Sequence, residues 1–313
     1  MEGPRLTSHI AILGAGSVGS AIAYALILNP IAGDILLVDP QEEMRDAQVK
    51  DLSDATFHGN TECRVRAGTH KEAGQCDIVV ITAGAKQKKG ESRTDLIGRN
   101  QKILKSAIND MKPFKEDAIL LLVANPVDIL TFFAQKYSGL PRTQVIGTGT
   151  FLDSSRLRGF LAKEAEVSAS SIDAFVLGEH GESQFVSVSI VDWVPISTAL
   201  PGDKINRQEI ADATRDKAAS IINTKGVTNY GIGAVTSSIC KSILHDHRNI
   251  RPVSHFVESL NVCISVLTVL GRKGIVRNLP VHLSEEEQKK LKESAKSLRE
   301  IIDDAEKHEN DDA

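Results

Sequence analysis

An α/β protein, with a doubly wound parallel sheet followed by a mixed α+β half, is the fold class that three features of this 313-residue sequence predict. In residues 1–147, short apolar runs alternate with longer segments of helical character, the order expected of parallel strands joined by crossover helices. The runs are continuous rather than alternating in polarity, as strands covered on both faces require. After residue 150 the order changes to strand-like runs lying next to one another between helices, which points to antiparallel pairing.

Taken in order, the first strand is expected at His9–Leu13 and the first helix at Ser17–Leu28. Further Val-, Ile- and Leu-rich runs at 35–39, 77–82, 119–124 and 145–147 alternate with helical segments at 41–54, 94–111 and 127–137. Gly147, Thr148, Gly149 and Thr150 then cluster, and a domain boundary is placed there, giving domains 1–147 and 148–313. The second half reads as a helix at 153–166, strands at 172–178 and 187–193, helices at 206–223 and 231–246, and antiparallel strands at 253–257 and 262–270. A charged helix over 284–309 closes the chain. Ser284 stands three residues before Glu287, the spacing of a capping box, and Leu291, Ala295, Leu298, Ile302 and Ala305 form one packed face.

Composition excludes several functions. Lys plus Arg is 37 and Asp plus Glu is 41, a net charge of −4, so nothing favours nucleic acid or an anionic membrane as a partner. Aromatics are only 4%, too few for base stacking. No apolar run reaches the roughly 18 residues of a membrane span, and the first eight residues lack the apolar centre of a signal peptide. Cys63, Cys76, Cys240 and Cys263 are too far apart for a close-pair metal site and too few for a disulfide framework. A reduced, cytoplasmic protein without a structural metal is the expectation. His245 and His247 are read as surface residues on different faces of one helix.

The first chemical motif is Gly14-Ala15-Gly16-Ser17-Val18-Gly19, between a strand and a helix. Gly14 permits the tight turn, Gly16 lets backbone approach a pyrophosphate, and Gly19 allows close packing of helix on strand. The helix N-terminus offers N–H groups to phosphates. Asp39 ends the next strand, 20 residues after Gly19, where a carboxylate accepts from ribose hydroxyls and repels a 2′-phosphate. This is a Rossmann-type pattern, and it favours NAD over NADP. A glycine turn that only packs a helix, or an FAD or S-adenosylmethionine site, shares this half; the second half must separate them.

The second half supplies Asp153 and Arg156, three apart on one helix face, and Gly178-Glu179-His180-Gly181-Glu182, a histidine between glycines at a strand end. Each alone reads as an ordinary ion pair or a packed side chain. Jointly they suit one chemistry: a histidine held by a carboxylate exchanges a proton with a hydroxyl or carbonyl oxygen, and a guanidinium grips a substrate carboxylate through two parallel bonds.

With these residues in place, the sequence resembles the lactate/malate dehydrogenase superfamily, and within it the L-lactate dehydrogenases, from about Ser8 to the C-terminal helix. Besides the motifs above, the resemblance rests on Ile81-Thr82-Ala83-Gly84-Ala85, Gly90-Glu91-Ser92-Arg93, Asn125-Pro126-Val127-Asp128 and Gly147-Thr148-Gly149-Thr150. It implies a dinucleotide-binding domain and a substrate domain, with NAD as cofactor and pyruvate and lactate as substrates. It further implies that His180 is the acid/base, Asp153 its orienting carboxylate, Arg156 the substrate clamp and Arg93 a loop arginine that polarises the carbonyl. Asn125 then lies near nicotinamide ribose and substrate, Thr228 in the substrate pocket, and Ile232 against the nicotinamide. Val38 and Asp39 fall at the adenosine end, and Thr82, Ala83 and Gly84 join the cofactor site.

Substrate choice turns on Gln87. At the matching position the lactate dehydrogenases carry glutamine and the malate dehydrogenases arginine, because a second carboxylate buried without a partner costs several kcal/mol. Glutamine suits the methyl end of pyruvate, although Lys86, Lys88 and Lys89 flank it and could serve a dicarboxylate. Malate and branched-chain 2-hydroxy acids stay open as alternative substrates, and a non-catalytic NADH-binding protein as a different class. The family's sugar-bisphosphate-activated bacterial members carry a basic pair; here Arg158 matches one member and Asp173 replaces the other, so no such activation is expected. The resemblance implies a homo-oligomer, a tetramer with a dimer as the alternative.

Overall fold

The computed structural model describes residues 8–58, 63–85, 93–191, 194–195 and 207–311. Six parallel strands come first: β1 (His9–Leu13), β2 (Asp34–Val38), β3 (Arg64–Ala67), β4 (Ile78–Ile81), β5 (Ile119–Leu122) and β6 (Val145–Gly147). They alternate with helices α1 (Ser17–Leu28), α2 (Glu42–His58), α3 (His70–Ala73), α4 (Arg93–Met111) and α5 (Val127–Ser138). Helix α6 (Phe151–Ala165) follows, then β7 (Ile172–Leu177), β8 (Phe185–Val191) and β9 (Val194–Pro195), which form a separate three-stranded sheet. The described chain ends with helices α7 (Arg207–Lys225) and α8 (Tyr230–Leu244), strands β10 (Asn249–Val257), β11 (Val262–Gly271) and β12 (Gly274–Asn278), and helix α9 (Glu285–Asp311).

The large sheet has the order β12-β11-β10-β6-β5-β4-β1-β2-β3. The chain past residue 148 therefore extends the first sheet: β10 joins β6 antiparallel through Ser254 and Gly147, and β11 and β12 continue outward. Strand residues point alternately to two cores. Val79, Ile81, Leu120 and Leu122 pack against α4, α5 and α9, whereas Ile78, Val80, Ile119 and Leu121 pack against α1 and α8. Helices on both faces explain why the strand runs read as continuously apolar.

Several details differ from the sequence reading. β3 was not anticipated, because Arg-Val-Arg-Ala at the sheet edge is only four residues long and half charged. Nor was the short α3, which is held by a capping box between Thr69 and Glu72. β12 was missed for the same reason as β3, being an edge strand with largely exposed residues. The capping box of α9 forms, with Ser284 N–H donating to Glu287 Oε2 at 2.8 Å and Glu287 N–H to Ser284 Oγ at 3.2 Å. Its apolar stripe is buried at Ala295, Leu298, Ile302 and Ala305. One expectation is corrected: His245 and His247 do not diverge from one helix. α8 stops at Leu244, Asp246 turns the chain at φ +47°, and the two rings stack with centroids 5.5 Å apart. Among the described residues no helix is long and apolar enough to cross a membrane.

Candidate active site

The site is built at the C-terminal tips of the parallel strands, where the crossover direction reverses and open α/β sheets bind ligands. After β1 the chain turns at Gly14, with φ +100°. A Cβ there would lie 2.6 Å from Thr82 Oγ1 and 3.0 Å from Ala83 N, so the turn needs glycine for both conformation and space. Thr82 Oγ1 donates to the carbonyls of Leu13 (2.9 Å) and Gly14 (3.1 Å), tying the tip of β4 to the loop. At Gly19 a Cβ would strike the Gly14 carbonyl, which is how α1 comes to lie so close on its strand.

Gly16 differs. Among the described residues nothing lies within 4 Å of where its Cβ would be. Among the described residues α1 begins there without a side-chain cap and without an acid in its first turn, so the N–H groups of Ser17, Val18 and Gly19 have no partner within the helix. An anion fits such a helix end. Asp39, just beyond β2, accepts from Ala15 N–H and from Gln41 N–H, each at 2.8 Å. Its two oxygens have lone pairs beyond those bonds for ribose hydroxyls. Val38 is buried in the core, and its carbonyl accepts from Gly14 N–H. These residues fit a dinucleotide with pyrophosphate at Gly16 and a ribose at Asp39.

Sequence reasoning did not single out Asn100 of α4. Its Oδ1 accepts from Ala85 N–H at 2.7 Å and its Nδ2 donates to the Asn125 carbonyl at 3.1 Å. One buried amide thereby joins the segment carrying Ala83 and Gly84 to Asn125, which is exposed at the tip of β5.

His180 lies in the turn after β7. Gly178, at φ +96°, makes a two-way backbone pair with Ser265 of β11, at 3.0 and 3.1 Å, which anchors the turn. His180 Nδ1 is 2.7 Å from Asp153 Oδ2. A carboxylate can only accept, so Nδ1 carries the proton and Nε2 is left for exchange. Asp153 Oδ1 accepts from Arg156 Nη1 at 2.9 Å, and Asp153 and Arg156 are both buried. The start of α6, which presents them, is fixed to β7: Thr150 Oγ1 donates to the Val176 carbonyl, and Val176 N–H donates to Ser154 Oγ at 2.9 Å. A further contact was not foreseen: His180 N–H donates to Asp128 Oδ2 of α5 at 2.7 Å.

Charge follows from this geometry. Burial disfavours imidazolium, but the Asp153 hydrogen bond and the charges of Asp153 and Asp128 outweigh it, so the His180 pKa is raised above 6.5. Burial likewise opposes the Asp153 carboxylate, and the His180 and Arg156 contacts prevail and hold its pKa below the usual range.

Thr228 is half-buried between α7 and α8. Ile232, on the first turn of α8, packs on the core shared with α1. Two glycines set α8 there: a Cβ at Gly233 would meet the Ala21 carbonyl of α1 at 2.8 Å, and one at Gly231 would meet Leu152 Cδ1, beside Asp153, at 3.1 Å. The start of α8 thus touches both the glycine-loop helix and the helix of Asp153. Gln87, Lys86, Lys88, Lys89 and the Arg93 side chain lie outside the described residues. Arg158 Nη2 is 3.5 Å from Asp173 Oδ1.

Comparison with known proteins gives the following. Residues 8–147 match the family described as lactate/malate dehydrogenase, NAD binding domain, and residues 150–309 match lactate/malate dehydrogenase, alpha/beta C-terminal domain. L-lactate dehydrogenase A of Rhizopus oryzae is 44% identical over 298 residues, covering 95% of this chain and 92% of that protein. An L-lactate dehydrogenase of Clostridium botulinum (strain Loch Maree / Type A3) is 37% identical over 315 residues, covering 96% and 98%. A lactate dehydrogenase from a Medee basin deep-sea metagenome library superposes with a TM-score of 0.91 at 32% identity, covering 96% of this chain and 99% of that one. The ligand-bound minor L-lactate dehydrogenase of Enterococcus mundtii gives 0.91 at 31%, covering 95% and 98%.

Proposed function

The chain belongs to the lactate/malate dehydrogenase family, and from that premise we propose how it works as an NAD-dependent L-lactate dehydrogenase, with His180, Asp153 and Arg156 at the centre of pyruvate reduction. The observation that carries this reading is the buried Asp153 carboxylate, which binds the imidazole with one oxygen and the guanidinium with the other. Bound NADH supplies the hydride.

The N–H groups at Ser17, Val18 and Gly19 hold the pyrophosphate, Asp39 holds a ribose, and Ile232 and Asn125 border the nicotinamide. Arg156 grips the pyruvate carboxylate, adding a charge-assisted fork that fixes the carbonyl's direction. His180, kept as imidazolium by Asp153, donates its Nε2 proton to the carbonyl oxygen as negative charge develops there. Arg93 is assigned to stabilise the charge on the same oxygen. Thr228 and Gln87 line the methyl end, where a neutral amide leaves a second substrate carboxylate without a partner. In lactate oxidation His180 accepts the proton instead.

The domains divide at 147/148 into cofactor and substrate parts. We place the enzyme in the cytoplasm, at the pyruvate end of glycolysis, as a homotetramer, with no nucleic acid or membrane partner. The Arg158–Asp173 pair gives a sugar bisphosphate an acidic neighbour, so that sugar does not activate it.

The test is NADH oxidation by the purified protein offered pyruvate, oxaloacetate and 2-ketoisocaproate. Pyruvate is expected to give the highest kcat/KM. Preference for oxaloacetate or the branched acid would move the assignment within the family, and no oxidation with any of them would refute it.

A further inference from the structure

Asp128 is a second carboxylate at the histidine. It sits in the first turn of α5 and is 2% exposed, and its Oδ2 accepts from His180 N–H at 2.7 Å. Among the described residues neither its Oδ1 nor Ser254 Oγ has a hydrogen bond of ordinary geometry, although the Ser254 hydroxyl is near enough to favour the charged carboxyl. A buried carboxyl with an unmatched oxygen is a costly way to hold one backbone N–H. An asparagine amide oxygen would accept the same bond without the charge. What only the acid adds is a negative field on the imidazole.

We infer that Asp128 is a positioning residue for the dehydrogenase reaction: it anchors the His180 turn through the backbone and, as a carboxylate, supports the imidazolium form of His180 alongside Asp153. The inference rests on the proposed acid/base role of His180. The groups facing His180 are Asp153 and Arg156 from α6 and Asp128 from α5. Those facing Asp128 are His180 and Glu179 from the turn, Ser254 from β10 and the thiol of Cys263 from β11, which the Asp128 charge helps to keep protonated. Arg156 opposes imidazolium, and Glu179 opposes the Asp128 carboxylate. Burial pushes the Asp128 carboxyl up to about 6, with the Ser254 hydroxyl and the His180 N–H working against it. Asp128 and His180 thus titrate as a coupled pair, each charge favouring the other. As Asp128 is protonated, imidazolium loses part of its support.

The experiment follows the His180 ring resonance by NMR from pH 5 to 9, assigned by its loss in His180→Asn, together with the pH profile of kcat/KM for pyruvate. Asp128→Asn keeps the acceptor for His180 N–H and removes the charge. The His180 titration is expected to fall by roughly 0.5–1 pH unit, and the alkaline limb of kcat/KM to move down with it. At pH values below both limbs, kcat/KM stays within about three-fold of the parent. An unmoved His180 titration overturns the inference, even if kcat drops. Should Asp128→Asn fail to fold, the ring titration of the parent protein decides. Asp128 titrates at about 6, and the His180 ring resonance should register that step as a second, smaller inflection; a single-step curve overturns the inference. If the parent protein reduces no keto acid, the dehydrogenase reading fails, and the ring titration still judges whether Asp128 acts on His180.

Discussion

At the glycine-loop end of the site, the decisive contacts are backbone contacts: Gly14 at φ +100°, the Thr82 hydroxyl on two loop carbonyls, and Gly19 pressed on the Gly14 carbonyl. At the His180 end they are charged side chains: Asp153 between His180 and Arg156, with Asp128 on the His180 backbone. The first end is shape made by chain path, and the second is electrostatics made by buried groups. Damage at the first end should therefore appear as lost folding and cofactor binding, and damage at the second as lost chemistry on an intact fold.

The largest expected effect sharpens this contrast. His180→Asn removes the proton donor and should lower kcat for pyruvate by about 10²–10⁴-fold. NADH affinity, read by fluorescence titration, should stay unchanged. Arg156→Lys comes next. It keeps a charge but loses the planar fork, and kcat/KM for pyruvate should fall by about 10²–10³-fold with NADH binding intact. Near-parental kinetics would remove Arg156 from the clamp role. At the other end, Gly19→Ala should lower stability by about 1–3 kcal/mol, because the new methyl meets the Gly14 carbonyl and Ile12. It should weaken NADH binding in the same sample, and a loss of turnover with unchanged melting and NADH affinity would break the contrast.

The two ends also differed in how far they could be read from sequence. The glycine loop is local: Gly14, Gly16, Gly19 and Asp39 carry their reasons within one strand–helix–strand unit. The long apolar strands and the α9 stripe were legible in the same way. The histidine end is not local. Asp153–Arg156 is an ordinary i,i+3 pair until β7 brings His180 to it, and beforehand only their complementary chemistry and the family resemblance joined them. Asn100 left no sequence signal, and Asp128 showed only as the last residue of the Asn125–Asp128 motif with no role attached, since both act on distant backbone groups: Asn100 through bonds to Ala85 and Asn125, and Asp128 through one to His180. Edge strands β3 and β12 were missed because short, half-exposed runs bury too little apolar surface to show a pattern. The two histidines at 245 and 247 were misplaced because nothing local announced that α8 stops at Leu244.

The smallest effect concerns choice rather than rate. Gln87→Arg should raise the oxaloacetate-to-pyruvate ratio of kcat/KM, by roughly ten-fold or more, as a second carboxylate gains a partner. An unchanged ratio would mean that Gln87 does not face the substrate.

The central claim is that a histidine held as imidazolium meets the bound keto acid. Its most direct test is the affinity of the NADH complex for oxamate, a pyruvate analogue, measured as a function of pH. His180 is charged below its raised pKa and neutral above it, so affinity should be full at low pH. It should weaken about ten-fold per pH unit above that pKa, with one proton taken up per site. In His180→Asn the pH dependence should disappear. Oxamate binding that is flat with pH in the parent protein, or equally steep in the variant, would contradict the account.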